Sequence, residues 1–204
     1  MRKELVFYAG RLWKKGFFPG TSGNVSVRLP DGSILVTPSG KAKDMLSPED
    51  LTRVDLEGNV LEGRLRPSSE LKMHLAAYSA RSDVNAVVHA HPPFVVAACC
   101  AGGVDAGLLA ESTIIFGRVP LAPFALPSTS DVPDSIRPFL GDSNGILLSH
   151  HGGLTFGATL EEASNRFEAL ETLCRVTFIL RSSGVGEPLS ASQLEALRGL
   201  ASRR

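Results

Sequence analysis

Five histidines occur in the 204 residues, and four of them fall in two short stretches, "NAVVHAHPPF" (85–94) and "ILLSHHGG" (146–153). His89 and His91 close an apolar, β-branched run. In a strand, residues two apart share a face, so these two imidazoles project side by side from Cα atoms roughly 6.5–7 Å apart and can converge on one ion. Pro92 and Pro93 end the strand and suit the first turn of a helix. In the second stretch an apolar strand again runs into histidine. Only one of two consecutive strand residues can face the same way. His151, beside Gly152 and Gly153, which let the backbone bend close, is taken as the third member. Three imidazoles with an open fourth position make a catalytic zinc-type site. Without thiolate the set also suits Mn²⁺, Co²⁺ or Fe²⁺.

A carboxylate joins them from "RPSSELKMHLAAY" (66–78). Ser68 or Ser69 is positioned to cap a helix, and Glu70 falls in its first turn, where the dipole favours an anion. His74, one turn on, competes as a ligand. It is read as structural, because the same helix must bury Leu71, Leu75 and Tyr78. Two turns rich in glycine and hydroxyls, "PGTSGNVSV" (19–27) and "VTPSGKAKD" (36–44), flank strands and expose backbone N–H groups. With the serine-capped helix start they can form an anion nest.

The elements that must position these groups follow from periodicity. A helix spans about 2–15, followed by strands "NVSVRL" and "ILVTP" joined at "PDGS", a helix start at "SPED", and strands in "TRVDLEG" and "VLEG". A helix from Ser68 to about Arg81, the H-x-H strand and the apolar helix "PPFVVAACCAGG" come next. Strand-like "ESTIIFG" and "VPLAPF", a short helix near "DVPDSI", strand "GILLSHH", a long helix from about Leu160 to Ser182 and a capped C-terminal helix complete the chain. Strands mixed with helices, hairpin-linked at first, indicate an α/β sheet covered by helices, in one domain spanning 1–204.

Composition removes several classes of partner. Lys+Arg and Asp+Glu number 21 each, so no global field draws the chain to nucleic acid or to an anionic membrane surface. No apolar run reaches transmembrane length, and the N-terminus lacks a secretory cleavage region. Cys99, Cys100 and Cys174 are odd in number and read as free thiols in a reducing cytoplasm.

Taken together, "GTSGNVSVR", "ILVTPSG", "RPSSELKMHLAAY", "NAVVHAHPPF", "VPLAPF" and "ILLSHHGG", in this order and spacing over roughly residues 5–180, resemble the class II aldolase/adducin family. The closest likeness is to its branch acting on L-fuculose 1-phosphate. The resemblance implies a central, mainly antiparallel sheet with helices on both faces, assembled as a C4 homotetramer with sites between subunits. It implies Zn²⁺ on His89, His91 and His151, and Glu70 as the acid/base. It places a substrate phosphate on Thr21, Asn24, Ser39, Gly40, Ser68 and Ser69. The implied reaction is cleavage of a ketose 1-phosphate to dihydroxyacetone phosphate and a small aldehyde such as lactaldehyde.

The chemistry of the residues agrees with that reaction. Breaking a carbon–carbon bond beside a carbonyl leaves an ene-diolate, whose charge needs a Lewis acid, while a nearby carboxylate exchanges the proton. One departure stands out. Fuculose-phosphate aldolases use tyrosines at the aldehyde end, and this chain has only Tyr8 and Tyr78, neither placed for that role. Glu111 in "LAESTIIFG" lies in the corresponding region and is a second acid/base candidate. A related branch, the methylthioribulose-1-phosphate dehydratases, places a glutamate at a similar distance beyond its H-x-H pair. A pentulose-phosphate dehydratase or 4-epimerase therefore stands as the alternative, and a non-catalytic adducin-like interaction domain as a third.

Overall fold

A computed structural model describes residues 1–201. Helix α1 (Arg2–Lys14) leads into the hairpin β1 (Asn24–Arg28) and β2 (Ile34–Val36), followed by β3 (Thr52–Val54) and β4 (Val60–Glu62). Helix α2 (Leu71–Ala80), strand β5 (Ala86–Ala90) and helix α3 (Pro93–Cys100) form the middle of the chain. Helix α4 (Ala110–Phe116), β6 (Leu121–Ala122), α5 (Asp131–Ile136), the hairpin β7 (Gly145–Leu148) and β8 (Gly152–Gly157), α6 (Leu160–Ser183) and α7 (Ala191–Ala201) complete it.

The eight strands make one sheet in the order β4-β3-β2-β1-β5-β8-β7-β6. Every neighbouring pair is antiparallel except β6 with β7. Because side chains alternate across a strand, each central strand feeds two cores. Val25, Val27, Ala86 and Val88 pack on one face against Leu5 and Leu12 of α1, Val95 of α3 and Phe167 and Leu170 of α6. Val87, Leu154 and Phe156 pack on the other, against Met73, Ala77 and Tyr78 of α2 and Val132 and Ile136 of α5. His89 has the parity of Val87, and Asn24 and Ser26 alternate with Val25 and Val27, so the polar side chains of β1 and β5 share the α2 face. Register then sets Asn24 directly opposite His89.

Two expectations are corrected. "ESTIIFG" is helix α4, not a strand. Its β-branched run is accommodated because Ser112, Thr113 and Phe116 form a buried face, and the Thr113 hydroxyl bonds the carbonyls of Ala106 and Leu109; tertiary packing overrides local propensity. Helix α2 starts later than expected, at Leu71 with Glu70 at the N-cap position. Ser68 lies outside the helix, and its hydroxyl accepts the Glu70 N–H at 3.2 Å.

Candidate metal centre and active site

His89 sits at the end of β5, buried to 0% exposure. Its Nδ1–H donates to the Gly153 carbonyl of the neighbouring strand at 2.9 Å, which turns Nε2 inward. His91 lies one residue past the strand, its N–H held by the Phe17 carbonyl at 3.0 Å. His150 and His151 are not strand residues but occupy the three-residue turn between β7 and β8. His150 takes φ +57°, which turns the chain so that its own ring is exposed beside Ser149 while His151 enters the site. A turn, rather than alternation along a strand, separates the two histidines.

The three rings meet with centroids 4.5–4.9 Å apart. Glu70 reaches them from the start of α2, Oε2 lying 3.1 Å from His89 Nε2 and Oε1 3.0 Å from His151 Nε2. One ligand atom from each of Glu70, His89, His91 and His151 lies within 4.8 Å of the others. Three imidazoles and one carboxylate are a donor set suited to a divalent first-row ion. The Nδ1–carbonyl bond of His89 is the outer-shell contact that normally fixes a ligating ring. Gly152 is required for this approach, since a Cβ there would stand 2.4 Å from His91 Cδ2 and 2.6 Å from the Ala90 carbonyl oxygen.

Burial pushes the Glu70 carboxyl up, but the charge of His89 and hydrogen bonds from His151 and His89 outweigh it and hold the group well below the usual carboxylate range. Burial, with His89 and His151 adding to it, pushes His91 down to about 3. His74, fully buried, is pushed down to about 3 by the same desolvation.

The three polar turns are tied to one another beside this cluster. Lys43, 1% exposed, donates from Nζ to the Thr21 carbonyl at 2.9 Å and the Lys41 carbonyl at 3.1 Å, joining the first turn to the second. The Ser39 N–H donates to the Arg66 carbonyl at 3.0 Å, joining the second turn to the segment before Ser68. Thr21, Ser39, Gly40 and Ser69 are exposed along this edge. Asn24 differs: it is 2% exposed, its amide nitrogen bonds Glu70 Oε2 at 3.1 Å, and its carbonyl oxygen bonds His74 Nε2.

Glu111 is not brought to the histidines of its own chain. It lies on α4 in a groove of about 960 Å³ shared with Glu161, Asn165 and Arg166 of α6, and none of the four clustered residues lines that groove. Neither tyrosine faces the cluster. Tyr78 is buried with its hydroxyl on Ser26 at 2.7 Å, and Tyr8 lies beside Arg11 on α1.

Three participants escaped sequence reasoning. Lys43 resembled a solvated lysine in a charged run. Glu171 of α6 accepts the N–H groups of Val95 at 2.8 Å and Phe94 at 3.3 Å, anchoring the first turn of α3 just behind His91. Ser128, at φ +66°, lines a small cleft with Ser69 and Glu70; a positive φ at serine has no signal in composition.

A sheet of this topology carrying a His₃–carboxylate cluster beside polar turns defines a class, and comparison supplies its family. Residues 3–178 match the Class II Aldolase and Adducin N-terminal domain, and the chain belongs to that family, whose aldolases depend on a divalent metal. It is 32% identical over 203 residues to 3-oxo-tetronate 4-phosphate decarboxylase of Escherichia coli, covering 97% of this chain and 95% of that one. It is 30% identical over 173 residues to L-fuculose phosphate aldolase of Methanococcus maripaludis, covering 85% and 93%. The crystal structure of YgbL from Escherichia coli superposes with a TM-score of 0.91 at 32% identity, covering 97% of each chain.

Proposed function

We propose that the chain is a zinc-dependent lyase that releases CO₂ from 3-oxo-tetronate 4-phosphate and leaves dihydroxyacetone phosphate. The observation that carries this reading is that a single carboxylate, Glu70, stands among the three histidines. A 2-hydroxy-3-oxo acid loses CO₂ when the C1–C2 bond breaks and its electron pair moves toward the C3 carbonyl. The resulting ene-diolate then needs one proton at C2. Aldol cleavage must in addition strip the hydroxyl proton of the departing aldehyde, and neither tyrosine is placed to do so. The decarboxylase similarity across nearly the whole of both chains supports the same choice.

His89, His91 and His151 would hold the ion, which when bound supplies Lewis-acid relief of the charge developing on the ketone and hydroxyl oxygens. The chain's own groups do the rest. Thr21, Ser39, Gly40, Ser68 and Ser69 orient the phosphate, so that C2 meets Glu70 in a fixed geometry. Glu70 takes a proton from solvent and delivers it to C2. The enzyme works as a C4 homotetramer in the cytoplasm, where its three free cysteines stay reduced. Glu111 then serves as acid/base only from a neighbouring subunit.

A second reading, cleavage of a ketose 1-phosphate of the L-fuculose type to dihydroxyacetone phosphate and lactaldehyde, is favoured by the similarity to L-fuculose phosphate aldolase. One assay separates the two. Zinc-loaded enzyme, confirmed as a tetramer by sedimentation, is given 3-oxo-tetronate 4-phosphate labelled with ¹³C at C1, or a ketose 1-phosphate. Dihydroxyacetone phosphate is read by coupled reduction and CO₂ by ¹³C NMR. Equal amounts of CO₂ and dihydroxyacetone phosphate are expected from the acid. Turnover of the ketose phosphate alone would establish the aldolase, and turnover of neither would overturn both readings.

A further inference from the structure

Behind Glu70 runs a buried line of polar side chains that the reaction just described does not use. Asn24 bonds Glu70 Oε2 through its amide nitrogen, and its carbonyl oxygen meets His74 Nε2. His74 Nδ1 lies 2.7 Å from the Ser26 hydroxyl, which lies 2.7 Å from the Tyr78 hydroxyl. Exposures of Asn24, Ser26, His74 and Tyr78 are 2%, 0%, 0% and 2%, so water cannot substitute for a missing partner. Each bond must therefore be made with the correct donor.

The donors can be worked out from one end. A carboxylate only accepts, so Asn24 turns its NH₂ to Glu70 and its carbonyl to His74. That carbonyl also only accepts, which requires a proton on His74 Nε2. A neutral imidazole carries one N–H, so Nδ1 is an acceptor and Ser26 donates to it. The Ser26 oxygen in turn accepts from Tyr78. Every bond points toward Glu70.

We propose that Tyr78, Ser26, His74 and Asn24 are positioning residues: a one-way chain of hydrogen-bond donors that locks His74 as the Nε2–H tautomer, engages Oε2 of Glu70, and so fixes the carboxylate with Oε1 turned toward His151, the side on which it exchanges the reacting proton. The inference rests on the reading of Glu70 as the proton-transfer group. It also gives Asn24 a role other than contact with phosphate. If His74 lost its donor, the Asn24 amide could flip and set its oxygen against the carboxylate.

The tautomer is read directly from ¹⁵N shifts of the histidine rings in zinc-loaded protein. His74 should show a protonated Nε2 and an unprotonated Nδ1 between pH 8 and 7; the reverse pattern overturns the chain. Function is read as solvent-deuterium exchange at the carbon of dihydroxyacetone phosphate, together with zinc content and inorganic phosphate affinity. His74→Leu should slow exchange roughly 10–100-fold, the range for outer-shell partners, with zinc and phosphate binding kept. His74→Gln, which retains a donor near Nε2, should recover much of the loss. Should His74→Leu fail to fold, Ser26→Ala tests the same point by allowing the other tautomer to appear and slowing exchange with it. Wild-type exchange in these variants while Glu70→Gln is inactive would overturn the chain and leave Glu70 in its role. Wild-type exchange in Glu70→Gln as well would show that the reading of Glu70 itself had failed.

Discussion

At Glu70 burial and charge act in opposite directions, and the neighbouring imidazoles win. An acid held ionised at neutral pH enters proton transfer as a base and must take up a proton before it can give one to carbon. Its loss should therefore appear in the step at carbon rather than in binding. Glu70→Gln keeps the size and one oxygen of the side chain. It is expected to retain zinc and phosphate affinity and to lose about 10²–10⁴-fold in carbon-proton exchange, the usual range for general acid–base catalysis. Exchange at the wild-type rate would move the role elsewhere, with Glu111 next to be tested. The grouping of Glu70 with the three histidines could be read in the sequence because the signals are local, an H-x-H at a strand end, a His–Gly–Gly after an apolar strand and an acid beside paired serines, but the turn that separates His150 from His151 could not. The roles of Asn24 and His74 were not, because the bond between them joins residues 50 positions apart and exists only once β1 is registered against β5 and α2 lies over both.

Among elements, the central strands and the long helices could be read from periodicity alone, while α4 could not. Its "STII" core has the composition of a strand, and only burial against the rest of the fold makes it helical. The three turns also needed tertiary structure, since what unites them is Lys43. Burial pushes this lysine down to about 8, and among the described residues no carboxylate pairs with it. A bound phosphate would supply the missing counter-charge. Below about pH 8 the ammonium is charged and favours the anion, whereas above it the charge is lost while phosphate remains a dianion. Affinity for inorganic phosphate, measured by calorimetry, should fall as pH rises from 7 to 9. Lys43→Met should bind more weakly at pH 7 and lose that slope while keeping its zinc. An unchanged slope in the variant would mean that Lys43 only ties the turns together.

For the whole molecule, the metal and the fold should be coupled through protons. Sheet order brings β1, β5 and the β7–β8 turn together, so the cluster exists only in the folded chain. Among the described residues no helix is long and apolar enough to cross a membrane, and stability is that of a packed sheet with a polar site at its edge. His74 and His91 are both pushed down to about 3, first by burial. In the unfolded chain each takes up a proton near pH 6.5, so between about 6.5 and 3 the unfolded state binds more protons than the folded one. Stability is then greatest above that window and falls as pH drops through it. Glu70, held ionised, adds to the loss below its ordinary value of 4.5. Zinc bound to the folded state alone should raise the melting temperature by mass action. That gain should shrink with acidity, because the ligand nitrogens must be free of protons to hold the ion. Thermal unfolding with and without a chelator at pH 7.5, 6 and 5 should show a large zinc-dependent increment at 7.5 and little at 5, over a metal-free baseline that also declines. His91→Ala should lose most of the increment at pH 7.5, along with bound zinc. A melting temperature indifferent to chelator at pH 7.5 would remove the ion from the cluster.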